Sequence, residues 1–421
     1  MATTAVSVAE LCAAAQRASR TLAMLPSGVK DAALEAIASA LAEHTAEILE
    51  ANARDLEAGR DAGLSDALLD RLALDHDRVA AMAAGVRKIA ALPDPVGEVI
   101  DGSRLANGLD VRKVRVPLGV VAVVYEARPN VTIDAAALCL KSGNAIVLRG
   151  SSSATHSNAV LASVAAAAAE SAGLPAGALS LVAGGGREEL AELATQAGVV
   201  DLIIPRGGEG LKAALKGVAT VPVIYAASGN CHVYVDESAD LEAARAIVLN
   251  AKLQRPGVCN AAEKLLVHSR VAAEFLPGVL RELADSGVVL HGDERARAAS
   301  PGLPVGPAGD QDWDTEYLAL EIAVGIVDST EEAIEHINRH GSGHSEAILT
   351  HDTDSARAFQ LGVDAACVYV NASTRFTDGG EFGMGAEIGN STQKLHARGP
   401  IGLRELCTFK YLLEGAGHVR S

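Results

Sequence analysis

Cys259 stands in LQRPGVCNAAEKL, where Pro256-Gly257 ends a helical pattern and an apolar strand pattern follows. A thiol at such a turn is flanked by backbone N–H groups that stabilise a thiolate and a tetrahedral oxyanion. One reading makes Cys259 a nucleophile; the other makes it a structural thiol, as most cysteines are. Asn130, in YEARPNVTIDAA, lies between a strand pattern and a helical one. Either Asn130 or Thr132 caps the helix, or Asn130 offers its amide to an oxyanion. Arg149-Gly150-Ser151-Ser152 again closes a strand and opens a helix. A guanidinium, hydroxyls and N–H groups there suit phosphate or ribose oxygens, although solvated capping also accounts for them. Arg206-Gly207-Gly208 repeats the arrangement without the GxGxxG spacing of a dinucleotide loop. His336, His340 and His344, with Ser342 and Ser345, fill EHINRHGSGHSEAIL. Gly341 and Gly343 break the helix between the second and third histidine and no carboxylate completes a set, so no metal is expected. Positioning of a polar substrate, or a solvated loop, are the readings left for His344 and Ser345.

These residues need strands and helices to hold them. Helical periodicity runs over 7–22, 28–53 and 65–92, with breakers at Pro26-Ser27-Gly28 and Gly63-Leu64-Ser65. From 104 to 116 the pattern alternates, and Asn107-Gly108 reads as a two-residue hairpin turn. Strand patterns then recur at 119–125, 144–150, 178–184, 199–205 and 221–227, with helical stretches between them. That spacing predicts a parallel, doubly wound sheet that binds ligands beyond the carboxyl ends of its strands. A second α/β unit begins near His232, with a strand at 232–238, a helix at 240–254 and a strand at 263–268. The tail GLRELCTFKYLL is a last strand able to pair with the hairpin.

Length and charge narrow the classes. A chain of 421 residues implies two or three domains. Hydrophobic residues at 49% exclude a disordered polymer, and aromatics at 3% leave a core of Ala, Val, Leu and Ile. A net charge of -17 argues against a nucleic-acid or anionic-membrane surface, so an anionic substrate needs a local positive site. No membrane span or signal peptide is read, and the six scattered cysteines suggest a reduced, cytoplasmic protein.

Taken in order, VPLGVVAVVYEARPNVTIDAAALCLKSGNA, LRGSSSATHSN, IIPRGG, LQRPGVCNAAEKLLVH, AIEHINRHGSGHSEAI and GGEFGMGAEIGNSTQKLHARGPIGLRELCTFKY resemble the aldehyde dehydrogenase superfamily, and within it the γ-glutamyl phosphate reductases. The likeness runs from near residue 7 to about 415. It implies an α/β fold with a Rossmann-like NADPH-binding domain (1–98 and 116–231) and an α/β catalytic domain (232–375). An oligomerisation flap (99–115 and 400–415) and a Gly-rich segment (376–399) returning to the cofactor domain complete it.

The resemblance makes Cys259 the nucleophile and Asn130 the amide that shares its oxyanion. It gives Arg149, Gly150, Ser151, Ser152, Arg206, Gly207 and Gly208 to the cofactor, Glu316 to the nicotinamide ribose, and Arg128, His344 and Ser345 to the substrate. Oxidising members carry a water-activating glutamate that this chain lacks: from Val218 to Val235 there is no Asp or Glu, and Ala226 best lines up with it. A thioester would then persist until hydride reaches it. The implied reaction is reduction of L-glutamyl 5-phosphate by NADPH. The implied partners are further copies of the chain, as a dimer or tetramer, and glutamate 5-kinase handing over the substrate. A CoA-acylating relative would share the cysteine and the missing glutamate, and differs in using CoA where this enzyme would use phosphate.

Overall fold

The computed structural model describes residues 6–184, 186–225 and 228–420. The chain divides into two units, Met1–Ala226 with Met384–Gly389 and Ile401–Ser421, and Ala227–Gly383 with Asn390–Pro400. The boundary expected at 231/232 therefore falls at 226/227. Of the segment 376–399, only Met384–Gly389 joins the first unit. The reason is local: Asn390–Ser391 pairs with Gly399–Pro400, and Lys394 and Arg398 both bind Asp364 of the second unit.

The first unit opens with α1 (Val8–Leu22), α2 (Ser27–Glu43), α3 (Thr45–Asp61), α4 (Asp66–Leu72) and α5 (His76–Ala90). The stretches 28–53 and 65–92 are thus not single helices. At the first break the Thr45 hydroxyl takes up the carbonyls of Leu41 (3.1 Å) and Ala42 (2.9 Å), competing with the helical ladder. At the second, buried Asn52 donates to the Leu72 carbonyl and accepts from the Leu74 N–H, both at 2.8 Å, while Asp75 caps α5.

β1 (Val99–Arg104) and β2 (Asp110–Pro117) form the hairpin, and the last strand, Cys407–Glu414, pairs antiparallel along β2. Its turn is longer than Asn107-Gly108 suggests. Leu105 N–H donates to the Leu109 carbonyl at 2.8 Å, enclosing three residues, and Gly108 takes φ 92°. That is a three-residue connection closed by a left-handed glycine.

β3 (Val120–Tyr125), α6 (Asn130–Lys141), β4 (Ala145–Arg149), α7 (Thr155–Ser171), β5 (Leu179–Leu181), α8 (Arg187–Ala194), β6 (Leu202–Arg206) and α9 (Glu209–Val218) build a parallel sheet in the order β5-β4-β3-β6. β3 and β4 are buried at every position, as strands covered on both faces must be. The strand expected at 221–227 shrinks to a single bridge between Ile203 and Val223, because Pro222 has no N–H to continue a ladder.

In the second unit β7 (Cys231–Val235), α10 (Leu241–Leu253), β8 (Ala262–His268), α11 (Ser269–Asp285), β9 (Val289–Gly292), α12 (Glu294–Ala299), β10 (Val305–Pro307), α13 (Asp310–Asp314), β11 (Glu321–Val327), α14 (Thr330–His340), β12 (Ser345–Leu349), α15 (Thr353–Gly362) and β13 (Cys367–Val370) follow. The sheet is parallel, ordered β10-β9-β11-β8-β7-β12-β13. Val233, Leu265, Leu276, Leu280 and Val324 meet in its core with no measurable exposure.

A distant acid fixes α7 in the first unit. Asp55 of α3, 3% exposed, accepts from the N–H of His156 (3.1 Å), the N–H of Ser157 (2.7 Å) and the Ser157 hydroxyl (2.6 Å). It caps a helix start whose own N-cap, Ala154, has no side-chain acceptor. Asp55→Ala should lower the unfolding free energy by about 2–4 kcal/mol, since each buried donor left unpaired costs about 1–3. Urea denaturation reads this directly, and an unchanged midpoint at unchanged slope would contradict the clamp.

Candidate active site

α10 stops at Leu253, and Gln254-Arg255-Pro256-Gly257 leads into a turn closed by Ala261 N–H on the Val258 carbonyl (3.1 Å). Cys259 rides on this turn, half-buried, whereas the other five cysteines are buried. Burial pushes the thiols of Cys12 and Cys407 up to about 11 and 12, and those of Cys139 and Cys231 higher still. Neutral and enclosed, they are poor nucleophiles.

The turn is held on several sides. Asn260 donates its amide to the carbonyls of Thr377 (2.9 Å) and Arg375 (3.4 Å), and its backbone carbonyl accepts from the Thr374 hydroxyl (2.7 Å). The Cys231 thiol donates to the Cys259 carbonyl at 3.1 Å. Gly229 packs so closely that a Cβ there would lie 1.5 Å from that same carbonyl oxygen. Its N–H donates to Glu316 Oε1 at 2.6 Å, which brings the residue expected at the nicotinamide ribose beside the Cys259 turn.

Glu316 in turn hangs from buried charges that the sequence reading missed. Glu263 pairs with Lys252 at 3.1 Å, both without exposure, and accepts from the N–H groups of Tyr317 and Leu318, each at 3.3 Å. Lys264 donates to the Thr315 carbonyl at 2.7 Å. Burial raises the pKa of Glu263 and lowers those of both lysines. The available signal was EK inside the apolar strand AEKLLVH.

His344 and Ser345 do not reach an open surface; both have 0% exposure. His344 Nδ1 meets the Ser345 hydroxyl at 2.7 Å, and Ser345 meets the Thr377 hydroxyl at 2.5 Å. Thr377 also receives Asn260, so the pair supports the Cys259 turn from behind and is withdrawn from substrate contact. Burial drives the His344 imidazole down to about 4, keeping it neutral. His336 and His340 lie ring to ring at 4.7 Å, with His340 tied to Asp314 at 2.8 Å, but His344 is bonded to Ser345 instead, so the three histidines do not share one centre. Among the described residues no group of three His, Cys, Asp or Glu side chains could hold a metal ion.

In the first unit Arg149 ends β4, 7% exposed, and donates to the Gly186 carbonyl at 2.6 Å. Burial lowers its pKa, against the pull of Glu189 and Glu126. Gly150 follows where a Cβ would fall 2.1 Å from the Asn158 amide nitrogen. Ser151 bonds Ser153 at 2.6 Å, and Ser152 starts a short helical turn before α7. A cavity of about 360 Å³ opens there, with Gly150, Ser151 and Thr155 at one side and Ala162, Ala166 and Leu181 as apolar wall.

Arg206 ends β6, but the place after it is filled. Glu126 Oε2 accepts from the Gly208 N–H at 2.9 Å, and a Cβ on Gly207 would lie 2.7 Å from the same carboxyl group. The α9 N-terminus therefore already holds a carboxylate of this chain, against the expectation of a cofactor phosphate. Asn130 is exposed at the start of α6 and donates to Asp134 at 3.0 Å; it is not a cap, since the N-cap position is Pro129. Thr132 is no cap either, being buried against Tyr125 (2.7 Å) and Asn158 (3.1 Å). Arg128 is exposed beside them. Ala226 lies outside the described residues.

Residues 1–306 match the aldehyde dehydrogenase family model. A γ-glutamyl phosphate reductase of Kineococcus radiotolerans is 57% identical over 415 residues, 98% of this chain and 96% of that protein. One of Moorella thermoacetica is 56% identical over 406 residues, 96% and 97% of the two chains. The crystal structure of γ-glutamyl phosphate reductase from Thermotoga maritima has TM-score 0.96 at 47% identity, covering 99% of this chain and 100% of that one. An acetylating aldehyde dehydrogenase of Geobacillus thermoglucosidasius shares the fold at TM-score 0.67 and 20% identity, covering 98% of this chain and 97% of that one.

Gly229→Ala should displace the Cys259 carbonyl, because a methyl group cannot share its space. A displacement of about 1 Å at a nucleophile costs about 10²-fold in rate, so kcat should fall by that order. Thermal unfolding should show whether the second unit stays folded. Wild-type kcat in a folded variant would mean the contact does not position the cysteine.

Proposed function

The chain belongs to the aldehyde dehydrogenase family, and we propose that it reduces L-glutamyl 5-phosphate to L-glutamate 5-semialdehyde and phosphate, with NADPH, in the second step of proline synthesis from glutamate. The observation that carries this is full-length likeness to γ-glutamyl phosphate reductases, at 57% and 56% identity in sequence and TM-score 0.96 in structure. Cys259 as the single half-buried cysteine supports it independently.

The Cys259 thiolate attacks the acyl-phosphate carbonyl, the carbon–oxygen bond to phosphate breaks, and a thioester forms on the sulfur. Phosphate leaves readily, so no strong acid has to protonate it. The amide of Asn130 is assigned to the oxyanion; removal of one such donor typically costs about 10²–10³ in rate. NADPH, when bound, supplies the hydride that carries the thioester to the aldehyde level. Release of the aldehyde returns the thiolate to Cys259. With no Asp or Glu between Val218 and Val235, the thioester lacks the water-activating glutamate that oxidising members carry in that stretch.

The cavity at Gly150, Ser151 and Thr155 fits an adenosine: its apolar wall suits a base and its hydroxyls suit a ribose. Arg149 and Ser152 adjoin its lining residues Gly150 and Ser151 in sequence, and Glu316 would take the nicotinamide ribose by exchanging its bond to Gly229. Gly207 and Gly208 are not carried forward as phosphate ligands, since Glu126 occupies that N–H. Arg206 and Arg128 stay as flanking cations. NADPH over NADH rests on the family likeness. No helix of the described residues is long and apolar enough to cross a membrane, and we place the enzyme in the cytoplasm, receiving its labile substrate from glutamate 5-kinase.

With glutamate semialdehyde and NADP⁺ but no phosphate, NADPH should appear as a burst of at most one equivalent per site. Phosphate should restore turnover, and Cys259→Ser should remove both phases while leaving cofactor binding near wild type. A fast steady state without phosphate would make the chain a hydrolytic dehydrogenase.

The hairpin sheet is assigned to self-association. Phe409, Tyr411 and Leu413 alternate along one face of the last strand and are 47%, 56% and 59% exposed. Such a row in a three-stranded sheet invites a partner. Tyr411→Lys with Leu413→Glu should lower the mass in sedimentation velocity, and an unchanged mass would refute the role.

A further inference from the structure

An acidic chain of net charge -17 needs a local cation to draw in a phosphorylated substrate. Two arginines stand at the Cys259 turn, apart from the cofactor and nucleophile groups. Arg255 lies four residues before the cysteine. Arg375 sits on the short helical turn Thr374–Phe376, whose start is capped by the Ser373 hydroxyl. Its carbonyl accepts from Asn260, the residue after Cys259, and the neighbouring Thr374 hydroxyl bonds the Asn260 carbonyl. Its Nε donates to Gln254 Oε1 at 2.7 Å, the residue before Arg255. Arg375 is thus tied to both flanks of the turn, by its guanidinium on one side and its backbone carbonyl on the other, and the partner at its Nε is a neutral amide that cancels no charge. Among the described residues neither arginine has a carboxylate at ion-pair distance.

We infer that Arg375, with Arg255 beside it, grips the phosphate group of the acyl-phosphate substrate as Cys259 attacks, an inference that rests on the function proposed above. The substrate's phosphate hangs by one oxygen from the carbonyl that meets Cys259. Three carbons separate that carbonyl from the α-carboxylate. A guanidinium anchored to the turn itself therefore faces the phosphate, and its planar fork matches two phosphate oxygens. Negative charge grows on the phosphate as the carbon–oxygen bond breaks, so the contact strengthens toward the transition state. The surrounding charges agree. Burial, and then Arg255, lower the pKa of Arg375, while Cys259, Asp378 and Cys231 act the other way. Two neighbouring cations facing no paired acid are costly until an anion arrives.

The test uses the full-length enzyme running in the oxidative direction with inorganic phosphate. For Arg375→Gln, KM for phosphate should rise about ten- to hundredfold, as loss of a charge-assisted bond implies, while KM for semialdehyde stays near wild type. Arg375→Lys should fall between, and Arg255→Gln should show a smaller rise. A second readout needs no turnover: phosphate should slow alkylation of Cys259 by iodoacetamide in wild type but not in Arg375→Gln. A rise in KM for semialdehyde with KM for phosphate unchanged would give Arg375 to the α-carboxylate and overturn the inference. Undiminished phosphate protection in the variant would overturn it as well. A wild type that needs no phosphate would sink the proposed function itself, whereas a phosphate-dependent wild type with unaltered variants sinks only the arginines.

Discussion

The contact on which the second unit's chemistry depends is between two stretches of backbone. The carbonyl of Cys259 lies where a side chain on residue 229 would be, so glycine is required there for space. Around that contact residues 229–231 act as a hub. Gly229 N–H holds Glu316, and Asn230 N–H holds the Ser342 hydroxyl at 2.9 Å. The Asn230 amide holds the carbonyls of Trp313 and His340, both at 2.7 Å, and the Cys231 thiol holds Cys259 itself. Segments distant in sequence converge because one short stretch satisfies them all. A buried amide with its donors satisfied is rigid, and rigidity is what a nucleophile positioned to a fraction of an ångström needs.

The two units carry their candidate site residues at opposite ends of their own strands. In the first, Glu126, Arg149 and Arg206 follow or end β3, β4 and β6, at the carboxyl edge where doubly wound sheets bind ligands. In the second, Gly229, Cys259 and His344 precede β7, β8 and β12, at the amino edge. No crevice between helix N-termini is available there, so the anion-handling groups have to be side chains. That difference accounts for a first unit built of turns and glycines and a second built of arginines, amides and buried ion pairs.

Legibility in the sequence followed the range of the interactions. The alternation of strands and helices, the helix breaker before Cys259 and the pairing of hairpin with tail are patterns over a few residues, and they could be read. Asp55 capping α7 acts across 102 residues, and Glu126 capping α9 across 82; neither leaves a local trace. Glu126 also shows how a long-range partner changes the setting of a locally read anion site. The glycines after β6 do admit an anion at a helix start, and the chain supplies its own. His344 and Ser345 failed for a related reason: polar residues in a glycine-rich segment look exposed, but Ser345 opens a central strand and takes His344 into the core.

Beneath the amino edge of the second sheet the groups that could carry charge are mostly held neutral. Burial drives His232 and His336 down to about 3 and His344 to about 4, and lifts the Glu346 carboxyl well above its usual range. Glu346 meets His232 at 3.0 Å as a neutral pair, since neither member is solvated enough to ionise. Lys252 pairs with Glu263 and faces the segment carrying Glu316, and Lys264, buried beside them, adds a second cation tied to the Thr315 carbonyl. The floor under Cys259 is therefore polar but mostly uncharged. In a low-dielectric setting of that kind a few exposed charges dominate the potential at the sulfur. The charges about the turn include the guanidinium groups of Arg255 and Arg375 and the carboxylate of Asp378, with no charged histidine among them. For the reaction proposed, in which a thioester has to be kept from water, this arrangement is favourable, because a neutral histidine buried behind the turn cannot activate water in front of it.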